Sequence, residues 1–429
     1  MLLLMSTLFL FLLMRVPIGI CLGACSMIYV LFLTNYPVTI LGQNFLFYMH
    51  KSSLLAIPFF VTAGFAMGRT RLIERLFDFC HELLKWLPGG AGVATMFTAM
   101  IFAAFTGSSV ASATTLGVIA YPNMKKRGYP DTLAGAIIAI GGTLGILIPP
   151  SWPMILYGVI VEVSIGKLFM AGIIPGIILG SLLTVVVIFY AKKLRLPSEP
   201  IEWRLVGKTF APALPGLFMP IIVLGGLYGG IFTPTEAGAV SCAYALVYGI
   251  VMDRSQFFKM LPSILHDSMR ITTMVFFLLG GVGLFNGILA NEYIPQKVAQ
   301  AIIGMELSPF FFLSIYMGVL LIMGCFVDAS GMIGLTVPII FPACLAMGID
   351  PIALCILIIV NCELGAITPP MGITLYGVSS VTKVPIEIIL RGVIPFFIMV
   401  ILFMIFLLLV PSVSTWLPAT MYKSVFGGV

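Results

Sequence analysis

The sequence predicts an all-α polytopic membrane protein made of two inverted-topology repeats. Each repeat carries a re-entrant hairpin and a broken helix, the arrangement of an elevator-type ion-transporter fold. Three observations lead there. The 429 residues are 60% hydrophobic and only 9% charged, whereas soluble domains carry about 25% charged residues. Motifs of the first half recur 220 residues later. Basic loops of the first half lack basic counterparts in the second.

The apolar character comes in long runs, such as 169–190, 214–231 and 393–410. Each approaches the ~20 residues that cross a bilayer as a helix. A β-barrel would alternate apolar and polar residues instead. The net charge of +6 sits in short loops, as the positive-inside rule requires, and does not point to nucleic acid. Cys21, Cys25, Cys80, Cys242, Cys325, Cys344, Cys355 and Cys362 lie mostly within apolar runs and read as small core residues. His50, His81 and His266 are scattered, which argues against a metal site. No small-residue cleavage site follows Arg15, so the N-terminus reads as a retained span. Arg15 beside Pro17 marks a break between the first two spans.

The repeat is visible in two stretches, "GILIPPSWPMILYG" (145–158) and "GAITPPMGITLYG" (365–377). Gly145 pairs with Gly365 and Pro149 with Pro369 at a shift of 220; Pro122 pairs with Pro342 likewise. The first repeat is expected at 1–190, a cytoplasmic linker at 191–210 and the second repeat at 211–429. "RTRLIERLFDFCHELLK" (69–85) and "KKR" (125–127) are basic. Their counterparts hold only Lys297 and "LAM" (345–347). Basic loops prefer the cytoplasm, so equivalent elements face opposite sides, which is an inverted repeat.

Two basic loops flank 91–122, so this segment must enter the membrane and return. Its arms, 91–105 and 110–121, are short, and "TGSS" (106–109) forms the tip. By symmetry 309–342 is a second hairpin, with arms 309–326 and 331–341 and tip "VDAS" (327–330). Broken helices are expected at 132–163 and 351–381, because proline removes an amide donor and clashes with the preceding turn. Irregular backbone at membrane depth is tolerated only where it is buried or lines a wet cavity. "DRSQFFK" (253–259) is expected on the cytoplasmic side, as its Lys and Arg residues suggest.

The breaks free backbone carbonyls, and small hydroxyl residues cluster beside them. Ser108, Ser109, Ser112, Thr143 and Ser151 lie in the first half; Ser330, Thr336, Thr368 and Thr374 lie in the second. Hard oxygens suit a desolvated Na⁺, and amides freed at half-helix N-termini suit an anion. Two quasi-symmetric Na⁺ sites around a midplane substrate site follow. Close helix packing by small residues is the competing account; it fits a single motif better than four motifs paired by a repeat. Asp328 sits at the second tip, where an ionisable group points to function. It binds substrate hydroxyl or amino groups, carries protons, or bonds the freed amides of the tip. Glu236 in "FTPTEAG" (232–238) reads as a helix-start capping residue, with Thr235 as the cap. Glu363 is open between a functional and a structural role. Trp86 and Trp416 read as interface anchors.

Four stretches now stand in order: "FTGSSVASATTLGVIAYPNMKKRGYP" (105–130), "GGTLGILIPPSWPMILYG" (141–158), "FTPTEAG" and "LGAITPPMGITLYG" (364–377). Together they resemble the large membrane subunit of tripartite ATP-independent periplasmic (TRAP) transporters, over essentially the whole chain. The resemblance implies a multi-pass protein of the bacterial inner membrane. It implies a small four-helix membrane subunit and a periplasmic substrate-binding protein as partners. It implies Na⁺-driven import of an organic acid by an elevator motion, with two or more Na⁺ ions and no organic cofactor. It places one Na⁺ at Ser108, Ser112, Gly142 and Gly145, and another at Ser330, Gly365 and Thr368. Sialic-acid members use residues that match Ser108, Ser151 and Asp328, which favours sialic acid or a related sugar acid over a C4-dicarboxylate. A self-sufficient anion/Na⁺ symporter that needs no binding protein is the second reading. An intramembrane enzyme is disfavoured, because no paired acids, His-Glu cluster or Ser/His arrangement occurs at membrane depth. ATP binding has no "GxxxxGK[ST]" to support it.

Overall fold

The computed structural model describes residues 2–14 and 16–425, so Arg15 lies outside the described residues. Regular structure among them is entirely helical. The chain opens with α1 (Leu2–Leu13), α2 (Ile18–Leu33) and α3 (Thr39–Met49). A 3-10 turn (Ser52–Leu55) leads into α4 (Ala56–Arg69), and α5 (Leu72–Leu84) follows. Next come α6 (Gly90–Thr106), α7 (Ser109–Lys126), α8 (Asp131–Thr143) and α9 (Trp152–Val161), then the long α10 (Ile165–Lys193). The second half starts with α11 (Trp203–Tyr228), α12 (Pro234–Asn291) and α13 (Ile294–Gly304). It continues with α14 (Pro309–Gly324), α15 (Ala329–Ala346), α16 (Pro351–Ala366) and α17 (Ile373–Thr382). Helices α18 (Ile386–Leu409) and α19 (Ser412–Val425) complete it.

Seven stretches among the described residues are long and apolar enough to cross a membrane. The three apolar runs singled out above fall in α10, α11 and α18.

Two packing groups organise the helices. In one, α12 lies against α2, α3 and α4. Arg69 at the end of α4 donates to Ser263 and Asp267 of α12. In the other, α7 and α18 pack on α8, and α14 packs on α16. Contacts also cross between halves: α17 lies on α7, and α15 lies on α9. Two shorter helices bridge the groups. Helix α5 touches both α11 and α6, and α13 touches both α12 and α15.

Several expectations need correction. The second arm of each expected hairpin is longer than read, because helix continues through Pro122 to Lys126 and through Pro342 to Ala346. At 18 residues, α15 meets the length and apolarity for a full crossing. The segment 253–259 is helical throughout, since it lacks glycine and proline and holds good helix formers such as Arg254, Gln256 and Lys259. The chain still turns there. Phe257's ring reaches the Cβ position of Gly249, although eight residues of straight helix span about 12 Å. At the start of α12 the cap is Thr233, not Thr235. Its hydroxyl accepts from the Glu236 amide at 3.3 Å, and its own amide donates to Glu236 Oε2 at 2.8 Å, a capping box. Pro234 occupies the first helical position, which puts the cap at Thr233, two residues before Thr235. Thr235 instead donates to the Ser52 carbonyl. Trp86 and Trp416 are both exposed.

Candidate functional site

The break between α6 and α7 is made by two residues. Gly107 takes the left-handed conformation with φ 56°, open to glycine because it has no Cβ. Ser108 is extended and caps α7, accepting from the Ala111 amide. Between α8 and α9 the chain passes through a 3-10 turn and then Pro149-Pro150, before Ser151 starts α9.

These two breaks touch. A Cβ on Gly107 would lie 3.0 Å from the Pro150 carbonyl oxygen. A Cβ on Gly145 would lie 2.7 Å from Ser112 Oγ and 2.9 Å from the Ser108 carbonyl oxygen, and one on Gly142 would meet Ala113 at 2.4 Å. So Ser108, Ser112, Gly142 and Gly145 do converge, and Ser151 adjoins Gly107. The fit depends on the absence of Cβ atoms, so Gly142 of α8 and Gly145 of the following 3-10 turn set how closely the tip approaches.

In the second half, too, a helix cap lies close to a helix break. Asp328 caps α15, accepting from the Gly331 amide at 3.3 Å and from the Ser330 hydroxyl. Gly324, at the end of α14, meets Gly365 of α16 backbone to backbone. The Met371 amide donates to the Cys325 carbonyl at 3.0 Å, tying the break after α16 to the tip. Thr368 donates to the Leu364 carbonyl at 2.6 Å. Ser330 bonds to Asp328, whereas Thr368 bonds within its own helix end, so the structure does not bring these two together as the first half does Ser112 and Gly145. Of the three roles open for Asp328, bonding to the tip is one that this geometry contains.

Many of the hydroxyls already have partners. Thr106 Oγ1 and Ser112 Oγ are 2.5 Å apart and buried. Ser151 donates to the Ile146 carbonyl at 2.5 Å, and Thr143 to the Ile140 carbonyl at 2.8 Å. Each oxygen keeps acceptor capacity while donating, so the hydroxyls are oriented toward backbone and leave lone pairs for a cation. Thr106 belongs with these residues; its place in "TGSS" was the only signal. Glu363 is fully buried and neither carboxyl oxygen has a partner.

A small cleft lies beside the first tip, next to α4 and α12. It is lined by Val61, Gly64, Thr106, Ser108, Trp152 and Ile271, with a volume of about 10 Å³. That admits about one water. Trp152 follows Ser151 in the quoted Pro-Pro motif, whereas Ile271 carries no motif, so sequence reading had no means of placing it beside Ser108.

A helical membrane protein with two such tip-and-break sites belongs among transport proteins rather than enzymes, and the comparisons with known proteins bear this out. Residues 5–413 match the family model "Tripartite ATP-independent periplasmic transporter, DctM component". The chain belongs to this family: it is a TRAP transporter large permease subunit, a multi-pass membrane protein. It is 40% identical over 370 residues to the C4-dicarboxylate TRAP transporter large permease protein DctM of Pseudomonas aeruginosa, covering 85% of this chain and 86% of that one. It is 32% identical to the sialic acid TRAP transporter large permease protein SiaM of Vibrio cholerae, covering 94% of each. It is 35% identical to the 2,3-diketo-L-gulonate TRAP transporter large permease protein YiaN of Escherichia coli, covering 89% and 90%. Among solved structures, the YdaH transporter of Alcanivorax borkumensis superposes with TM-score 0.61 at 15% identity, covering 96% of this chain and 98% of that one. That likeness concerns the fold alone.

Proposed function

We propose that the chain is the translocating subunit of a Na⁺-coupled importer of hydroxylated organic acids in a bacterial inner membrane, working by an elevator motion. The observation that carries this reading is the seating of each tip against the helix broken at Gly-x-x-x-Pro-Pro in its own half. Na⁺ is cargo. In each half it is held by backbone and hydroxyl oxygens: Ser108, Ser112, Gly142 and Gly145 in the first, Ser330, Gly365 and Thr368 in the second. Hard oxygens at short range replace its hydration shell, and an occupied site draws the tip onto the break. The substrate carboxylate meets the N-terminal ends of α7 and α9, where unpaired amides and the helix dipole favour an anion. Ser108, Ser151 and Asp328 contact the substrate, and the Asp328 carboxylate accepts from substrate hydroxyl or amino groups. A second anionic group on a C4-dicarboxylate would be repelled by that charge. A sialic-type sugar acid is therefore favoured, although the C4-dicarboxylate relative has the higher identity.

The helices carrying the tips and breaks form the moving body, and α2, α3, α4 and α12 form the fixed one. The narrow cleft beside Ser108 leaves no room for an organic acid between tip and fixed body, so access requires the two to slide. Loop charges support inverted halves that bring tips in from opposite sides. Partners are a small four-helix membrane subunit and a periplasmic binding protein. One relative, the isethionate TRAP transporter permease protein DctMQ of Oleidesulfovibrio alaskensis, extends well beyond the matched region, which covers 64% of it.

The test is uptake in proteoliposomes holding all three components, with N-acetylneuraminate and succinate compared under an imposed Na⁺ gradient. Na⁺-driven accumulation of the sugar acid is expected. Accumulation without a Na⁺ gradient would sink the coupling. Equal transport by this chain alone would favour a self-sufficient symporter.

A further inference from the structure

A cavity of about 250 Å³ lies where the two bodies meet, well away from the tips. Tyr48 of α3 and Asn286 of α12 line it from the fixed side; Ile160 of α9 and Phe341 of α15 line it from the moving side, with Gln296 of α13 between them. Each of these elements reaches the cavity by the end that the loop charges place outside the cell. Its polar groups are uncharged, and one of them is unsatisfied. Asn286 is 8% exposed and donates to the Tyr48 hydroxyl at 3.2 Å, while its Oδ1 is buried with no partner.

A cation stands at the rim. Lys51 Nζ lies 5.8 Å from the centre of the Tyr48 ring. It donates to the Val159 carbonyl at 3.1 Å, at the C-terminal end of α9, and to Glu162 Oε1 at 2.7 Å. Lys51 precedes α4 in the fixed body, and Glu162 closes α9 in the moving one, so this pair ties the two together. Glu162 is drawn into the left-handed region, φ 59°, where residues other than glycine are uncommon. Its side chain is 70% exposed and readily displaced. A carboxylate thus already rests on the ammonium, beside a cavity whose wall carries the polar side chains of Tyr48, Asn286 and Gln296.

We propose that this cavity is a receiving site for a hydroxylated organic carboxylate, whose carboxylate replaces Glu162 on Lys51 and whose hydroxyls meet the side chains of Tyr48, Asn286 and Gln296. The exchange unties α9 from the turn before α4, so arrival of the substrate releases the moving body. This rests on the proposed transport function, and two separate measurements keep them apart.

The first is Na⁺-driven uptake of N-acetylneuraminate by the complete transporter with its binding protein. Lys51→Ala is expected to raise the half-saturating substrate concentration about tenfold, the loss of one charge-assisted bond. Lys51→Arg should restore it, Glu162→Gln should lower it, and the half-saturating Na⁺ concentration should stay unchanged in all three. An unchanged substrate dependence in Lys51→Ala, or a shift in Na⁺ dependence of the same size, overturns the proposal. The second is direct binding of N-acetylneuraminate to the membrane subunits in nanodiscs of pure phosphatidylcholine. Binding that Lys51→Ala and Asn286→Leu each weaken supports the site, even where the wild type shows no Na⁺-driven uptake and the transport reading has failed. An effect of Lys51→Ala seen only when phosphatidylglycerol is present assigns the ammonium to a lipid phosphate and overturns the proposal.

Discussion

Gly324 and Gly365 meet so closely that a Cβ on Gly365 would lie 2.8 Å from the Cα of Gly324, and one on Gly324 would lie 2.9 Å from the Cα of Gly365. The atoms in the way are backbone, which cannot rotate aside. Gly365→Ala must therefore push α14 from α16 and loosen the second tip from its break. Overpacking of this kind costs about 1–3 kcal/mol. Thermal unfolding of the purified subunit should shift down, and Na⁺-driven uptake should fall at least tenfold. Gly304→Ala is the control, since nothing lies within 4 Å of its Cβ position; it should leave both unchanged.

Ser112 faces Thr106 across 2.5 Å in a fully buried position, and its Oγ is the atom nearest the Gly145 Cβ position. Ser112→Ala removes one candidate ion ligand while leaving the helix intact. The half-saturating Na⁺ concentration for uptake should rise about tenfold, and Na⁺ should raise the unfolding temperature less than in the wild type. An unaltered Na⁺ titration removes Ser112 from the ion site.

Asp328 combines a helix cap with a free charge, and two substitutions separate them. Asn caps as well as Asp, so Asp328→Asn keeps the Gly331 bond and loses the charge. Asp328→Ala loses both, and a lost cap costs about 1 kcal/mol. If the carboxylate contacts substrate, both variants abolish uptake and only Ala lowers stability. Wild-type uptake by Asp328→Asn would leave capping as the whole role.

His81 sits in a cluster that joins α5, the end of α7 and the segment after α10. Arg127 Nη2 lies 2.7 Å from His81 Nε2, and Arg127 Nε lies 3.8 Å from Glu199. Lys85 pairs with Glu82 at 2.8 Å and with Glu202 at 3.5 Å. Burial first, and the Arg127 guanidinium second, push the imidazole pKa down to about 4. The unfolded chain takes up this proton near pH 6.5, so between pH 6.5 and 4 the unfolded state binds more protons. Its contribution to stability is full above pH 6.5 and declines as pH falls through that window. The unfolding temperature should drop between pH 7 and 4.5, and the drop should be shallower in His81→Gln.

Much of the site was legible because its signals are local. Proline and glycine act on the backbone where they stand, so Gly107, Pro149-Pro150 and Pro369-Pro370 marked the breaks without any fold. The 220-residue shift then paired the elements of one half with those of the other, and the family resemblance paired each tip with its break. Helix ends were less legible: Pro122, Pro338 and Pro342 sit inside helices, where packing from α8, α9 and α13 outweighs one missing amide bond. The cap at Thr233 was missed by two residues, although the Thr-x-x-Glu spacing of Thr233 and Glu236 carried it.

By itself, then, the sequence determined the class of protein, the places where helices must break, and the residues beside them, because hydropathy and backbone chemistry are properties of short stretches. Tertiary structure decided what those stretches meet. It set Gly145 against Ser112, Gly324 against Gly365, Lys51 against Glu162 across 111 positions, and Arg127 against His81 across 46. No local pattern encodes these pairs. Each exists only because helices distant along the chain bury their apolar faces together, and the polar groups carried on them must then find whatever partner the packing brings.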